Sequence, residues 1–209
     1  AYGLLLVLVI SFLTVGVFSD EMNSESRFVY YSTKYGPTRG AAAKILAVFI
    51  IATMLYWSGM LLMSLISFGG MGTGGAFASI QTESPYSMYG LNFLERYLLI
   101  LLSGYVACLF SAGMTLLLFV KTKSAISAMS ISFLLFAGLP LLAGNDAFES
   151  FRMLTPDRLF HVQDNMNNPC VYQFGTIVCS RVTLLIALYS FLLIPTVVLS
   201  YRGFRKGSM

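Results

Sequence analysis

Residues 44–68 read KILAVFIIATMLYWSGMLLMSLISF, and no charged side chain follows Lys44 anywhere in the run. An α-helix rises about 1.5 Å per residue, so a hydrocarbon core about 30 Å thick needs roughly 20 apolar residues in a row. This run is long enough to be a membrane span. Four other stretches read the same way, at 2–18, 97–120, 124–143 and 182–201. The whole composition agrees with that reading. Of 209 residues, 57% are hydrophobic and 11% charged, and the mean hydropathy is +0.78. Soluble domains carry roughly a quarter charged residues. So few polar side chains cannot cover a water-facing surface, which excludes a soluble enzyme, a nucleic-acid binder and a disordered chain. The expected fold class is an all-α integral membrane protein, a polytopic helical bundle forming one transmembrane domain over 1–209 with five visible spans.

The charges sort by loop. Segment 19–44, the turn 121–123 and the tail after 201 hold nine basic residues against Asp20, Glu21 and Glu25. The loops 69–96 and 144–181 hold Arg96, Arg152, Arg158 and Arg181 against Glu83, Glu95, Asp146, Glu149, Asp157 and Asp164. The two sides carry +6 and −2, within a total of +4. The positive-inside rule then assigns segment 19–43 and the C-terminus to the cytoplasm, and loops 69–96 and 144–181 to the exterior of a cell membrane. Five spans with the C-terminus inside put Ala1 outside, so the expectation is one more span upstream, six in all. The first run lacks the basic residues that open a signal peptide.

No Asp, Glu, Lys, Arg or His lies deep in a span. Ionisable groups at membrane depth mark proton relays, ion sites and intramembrane active sites. Their absence argues against ion-coupled transport and against intramembrane proteolysis. Ser103, Ala107 and Ser111 recur every four residues, with Gly104, Cys108 and Ala112 beside them. Such rows let helices approach closely in lipid. They serve packing within the chain or, alternatively, a dimer face.

Segment 19–43 begins after Phe18 with Ser-Asp-Glu-Met-Asn-Ser-Glu-Ser-Arg and ends near Gly36-Pro37-Thr38-Arg39. Carboxylates at 20, 21 and 25 suit the first turns of a helix. Gly36-Pro37 stops that helix, and Thr38 caps the next. The expectation is a short surface helix between two spans. With this pattern the chain resembles the permease subunits of ABC transporters of the type-2 exporter class. The matching positions are the aromatic Phe18, Glu21, Glu25, Ser32, Thr33, Arg39 and Lys44. Ser26-Arg27 stands where that family commonly has Gly-Thr. Leu154-Thr155-Pro156 is similar to a Leu-Ser/Asn-Pro element of an outside re-entrant region in the family. The resemblance implies that the surface helix is a coupling helix docking on a separate ATPase subunit. Its contacts would be Glu21, Glu25, Arg27, Tyr30, Tyr31, Ser32 and Thr33. Arg39 and Lys44 would be positioning residues among lipid phosphates.

Gly69-Gly-Met-Gly-Thr-Gly-Gly75 lacks the Lys of a Walker A loop and reads as a flexible outside linker. This chain therefore needs ATP and Mg in a partner and binds no cofactor itself. His161 is the only histidine. With distant cysteines it makes neither a zinc site nor a catalytic triad, so no metal and no special role are expected. Cys170 and Cys179 flank a hairpin-like stretch and are either a disulfide staple or two free thiols. Phe148, Phe151 and Leu154, beside Asp146, Glu149 and Arg152, suggest an amphipathic helix lying at the outer interface.

The leading functional expectation is a non-enzymatic permease of an ATP-driven exporter for an amphipathic or hydrophobic substrate such as an antimicrobial peptide, drug or lipid-like molecule. Its partners would be an ABC ATPase subunit, a second or related permease and the lipid bilayer. The alternative is a non-transporting membrane sensor or assembly subunit that recognises an outside ligand through loop 145–180.

Overall fold

In a computed structural model of the chain, residues 2–22, 39–72, 74–83, 89–142, 153–167, 171–174 and 177–206 are described. Five helices dominate: α1 (Tyr2–Met22), α2 (Ala41–Met71), α3 (Phe93–Thr122), α4 (Ala125–Leu142) and α6 (Arg181–Lys206). A short helix, α5 (Val162–Asn167), and a two-stranded antiparallel hairpin, β1 (Val171–Phe174) and β2 (Ile177–Ser180), precede α6. Each of the five apolar stretches lies on one long helix. Three of these are long and apolar enough to cross a membrane, over Ala41–Gly70, Phe93–Thr122 and Arg181–Arg205. The apolar stretches Gly3–Val17 and Ala125–Gly138 are shorter.

The helix in the middle is α3. Over half of its most apolar stretch is buried (56%), against 22% for α2 and α6. The small side chains make this possible: Ser103, Gly104, Ala107, Cys108, Ser111, Ala112 and Gly113 are all buried. Neighbouring backbones can therefore come close on several sides. The outer face of α2 is the opposite. Leu46, Met54, Leu61, Leu65 and Ile66 are 59–72% exposed. In water so large an apolar face would drive association, whereas against lipid tails it carries no penalty. This is the surface of a membrane-embedded bundle.

Hydroxyl groups join three helices inside the core. Thr115 Oγ1 on α3 lies 3.1 Å from Ser11 Oγ on α1 and 2.8 Å from Ser132 Oγ on α4. All three residues are buried. With no water in lipid, a hydroxyl must find a partner inside the protein. Thr196 and Ser200 return their hydroxyls to their own helix, next to Pro195. These hydroxyls donate to Leu193 O and Thr196 O, so both are satisfied within the helix.

Two expected boundaries move. The first span continues to Met22, so Asp20 and Glu21 sit in the last turn of α1 and not in the first turn of a separate surface helix. Ser-Asp-Glu-Met contains no residue that breaks a helix, so the turns propagate past Phe18. At the other end of the bundle, α3 starts at Phe93 instead of 97. Glu95 accepts a hydrogen bond from the backbone N–H of Asn92 at 2.9 Å, half of a capping box. The pattern Asn92-Phe-Leu-Glu95 carries that signal in the sequence.

The glycine-rich stretch is more ordered than a free linker. α2 runs through Gly69 and Gly70, and Gly72 ends it at φ 75°, donating its N–H to Phe68 O at 2.9 Å. A left-handed stop of this kind favours glycine. The chain then folds back across the start of α3. Ile80 N–H donates to Leu91 O, Phe93 N–H to Ala78 O and Leu94 N–H to Ala76 O, all at 3.0–3.1 Å. Arg96 closes the strap with an ion pair to Glu83 at 2.8 Å.

Candidate functional site

Residues 153–167 turn inward and cap one end of the bundle. Thr155 is extended and Pro156 opens a 3-10 turn, Pro156–Leu159. Proline suits a first helical position because its missing N–H is an orphan there anyway. The turn leads into α5 through backbone bonds Phe160 N–H to Asp157 O and Asn165 N–H to His161 O. Leu159, Val162, Asn165 and Met166 are all buried. Of the expected amphipathic helix at the outer surface, Leu154 lies in a turn packed on the core, and Phe148 and Phe151 are outside the described residues.

The spans hold the cap by its carbonyls. Ser103 Oγ on α3 donates to Leu159 O at 2.6 Å, and Tyr189 OH on α6 donates to Leu154 O at 2.6 Å. Asn165 Nδ2 donates to Arg158 O at 2.8 Å. A buried loop needs such donors, since an unpaired buried carbonyl costs about as much as a lost hydrogen bond. Phe160 reaches α1, where a Cβ on Gly3 would come 2.5 Å from its ring. Glycine there allows the contact.

Beneath the cap is a cavity of about 260 Å³. Its walls come from Leu4 and Leu6 on α1, Tyr56 and Met60 on α2 and Ile100 on α3, with Asp157 and His161 from the cap. Tyr56 donates its hydroxyl to Leu101 O at 2.7 Å. Gly104 leaves room for that ring. At the rim, His161 Nδ1 is 3.4 Å from Asp157 Oδ1 and 3.2 Å from Asp157 O. The hydrogen bond to the Asp157 side chain raises the His161 pKa above 6.5, burial opposes it, and the charges of Asp157 and Asp164 add to the rise. The histidine expected to be idle is therefore the partner of a buried carboxylate. The cavity offers apolar walls with one carboxylate–imidazole pair, which suits binding an amphipathic molecule. No group of three or more His, Cys, Asp and Glu that could hold a metal ion occurs among the described residues.

Arg181, at the start of α6, is buried, and its partners among the described residues are neutral. Its guanidinium lies 3.4 Å from Asn165 Oδ1 and 3.4 Å from Met153 Sδ, and its Nε has no hydrogen-bond partner. Arg96, at the same end, is buried too but has Glu83.

The residues expected at functional positions fall into separate places. Of the coupling set, Glu21 is in the last turn of α1, while Glu25, Arg27, Tyr30, Tyr31, Ser32 and Thr33 lie outside the described residues. Arg39 is exposed and Lys44 half-buried at the start of α2. Ser103, Gly104, Ala107 and Ser111 are buried within the single chain, where they pack against its own helices. Cys179 faces Tyr172 across the hairpin and is a free thiol, as is Cys108; Cys170 lies outside the described residues. No protein-family model, curated protein or solved structure matches the chain.

Proposed function

We propose that this chain is the membrane-spanning permease subunit of an ATP-driven exporter of the ABC type. It works with a second or related permease copy and with separate ATPase subunits that bind ATP and Mg. Its substrate is amphipathic or hydrophobic, and segment 19–43 carries the coupling to the ATPase. On this reading the spans number five within the chain and the C-terminus is cytoplasmic. The observation that carries the proposal is the capped cavity of about 260 Å³ among three helices. Its apolar walls suit the greasy part of such a substrate, and the Asp157–His161 rim suits a polar end. The lack of ionisable groups midway along the spans supports an external energy source.

The test begins with gentle solubilisation of the full-length protein from its own membranes. Co-purification of a soluble subunit with a Walker A loop is expected, followed by ATP-dependent movement of a fluorescent amphipathic peptide in vesicles. A chain that purifies without any ATPase subunit, or moves peptide equally without ATP, overturns the proposal.

A sensor role is favoured by the exposed Val171 and Val178 on the hairpin. Apolar side chains directed away from the bundle suit recognition of a ligand. Transport that persists with both valines replaced by Ser favours export over sensing.

A further inference from the structure

The end of the bundle opposite the cap has its own concavity. The first turns of α2 and the last turns of α6 border a groove there of about 590 Å³. Ile45, Leu46 and Phe49 line one wall and Val197 and Val198 the other, with Arg202 and Arg205 at the mouth. Both arginines are exposed. The other described basic residues of this end are Arg39 and Lys44 at the start of α2, Lys121 and Lys123 at the end of α3, and Lys206 at the end of α6. The end of α3 lies beside α6, since a Cβ on Gly203 would strike Val120. Of the acidic residues, Asp20 and Glu21 close α1 at this same end, whereas Glu83, Glu95, Asp157 and Asp164 belong to the strap, the α3 start and the cap, at the opposite end.

We propose that this groove is a selective site for an anionic phospholipid. One acyl chain lies along Ile45, Phe49 and Val197, and the headgroup phosphate meets Arg202 and Arg205. Two properties together point to this occupant. An apolar trough opening on the lipid-facing side of two long apolar helices suits a hydrocarbon chain, and any phospholipid supplies that. Two guanidinium groups at one end of the trough add a preference for negative charge, because guanidinium pairs with phosphate in a bidentate fork. Basic pockets between helices at the membrane surface hold anionic headgroups by the same physics. A protein segment filling the trough would need apolar residues for its walls and carboxylates for its mouth.

Native mass spectrometry of the full chain in a neutral detergent tests this, with phosphatidylglycerol and phosphatidylcholine of matched acyl chains. A basic residue near an anionic headgroup contributes about fivefold. Phosphatidylglycerol should therefore be retained at least about fivefold, and up to about 25-fold, better than phosphatidylcholine. The Arg202→Gln/Arg205→Gln variant should reduce that ratio to below about twofold. Lys121→Gln/Lys123→Gln, which removes two charges from the same end outside the groove, should leave it unchanged. Both substituted pairs are exposed, so the fold survives, and helical circular dichroism checks that it does. Val198→Trp, which fills the trough, should lower retention of both lipids. Equal retention of the two lipids overturns the proposal, as does a preference that survives loss of both arginines. Displacement of phosphatidylglycerol by millimolar inorganic phosphate would make the site one for a free anion. A stable two-chain species with no bound lipid would make the groove an interface between copies. Either result refutes a lipid site.

Discussion

Gly104→Ala tests the cavity wall with a single methyl group. By helix propensity alone, alanine in a helix interior is favoured by about 1 kcal/mol over glycine. Here the added Cβ would lie 2.7 Å from Tyr56 Oη, 3.3 Å from its Cε2 and 3.4 Å from its Cζ. The hydroxyl cannot retreat freely, because it donates to Leu101 O at 2.7 Å. Displacing it leaves a buried hydroxyl unpaired, at about 1–3 kcal/mol. Forcing the ring aside in a tight core costs about 1–3 kcal/mol. These two costs share one movement, so they do not add fully. Against the propensity gain, the net loss is about 1–3 kcal/mol. In a Tyr56→Phe background the 2.7 Å clash is gone and only the 3.3–3.4 Å ring contacts remain. There Gly104→Ala should be neutral or stabilise by up to about 1 kcal/mol. The expected coupling is thus about 2–3 kcal/mol, within the range seen for residues in direct contact. The assay is reversible unfolding of the purified protein in mixed detergent micelles, followed by helical circular dichroism, for all four variants of the cycle. Equal stabilisation by Gly104→Ala in both backgrounds would refute the contact between Tyr56 and Gly104, and with it this wall of the cavity.

Thr115→Val keeps the volume but removes the hydroxyl shared with Ser11 and Ser132. Interhelical hydrogen bonds in membranes contribute about 0.6 kcal/mol on average, up to about 1.7. A loss of about 1–2 kcal/mol is expected in the same unfolding assay, with Thr115→Ser retaining most of it; equal effects of the two would count against the cluster. For pH, the sign follows from His161, whose pKa in the fold lies above its ordinary 6.5. Its contribution is complete below 6.5 and fades as pH rises through the raised value. Protease cleavage within the cap should therefore quicken as pH rises above neutrality, and Asp157→Asn should flatten that dependence. Arg181→Met removes a buried charge whose partners among the described residues are all neutral, so stability should stay level or rise. A loss above about 2 kcal/mol would mean that the guanidinium has an anionic partner in the membrane. Cys108, fully buried, should take up maleimide only after denaturation. Cys179, a free thiol, should take up maleimide before any reduction, and uptake only after reduction would refute that.

The helices were legible because each carries its own evidence. An uninterrupted apolar run such as 44–68 can satisfy its backbone only by coiling, wherever its neighbours are. The ends were less legible, and each miss has a local cause. Helix α1 outran Phe18 because carboxylates at 20 and 21 were read as a start, although the residues between contain no stop. The start of α3 was hidden by concentrating on hydropathy: Asn92 and Glu95 are polar, yet they are what fixes the first turn. The glycines at 69–75 suggested slack, but two of them remain helical and one serves as the stop.

The cap shows why a site of this kind resists reading from sequence. The spacing of Phe148, Phe151 and Leu154 suggested a surface helix, of which only Leu154 is among the described residues, and the inward turn begins after it, at Pro156. What draws residues 153–167 inward is a set of partners 35 and 56 residues away, Tyr189 for Leu154 O and Ser103 for Leu159 O. Neither donor is unusual in sequence. Ser103 belonged to a small-residue row whose evident purpose was close packing. Tyr189 was one of 12 tyrosines. A loop can enter an apolar bundle only if each polar group it brings is met there. The decisive information is therefore the pairing, which belongs to neither segment alone. The same reasoning makes Arg181 informative. Two buried guanidinium nitrogens at this end lack a hydrogen-bond partner among the described residues, Arg158 Nε within the cap and Arg181 Nε beside it. A buried guanidinium held only by neutral groups points to a missing negative charge or to a dispensable positive one, and for Arg181 the methionine variant decides between them.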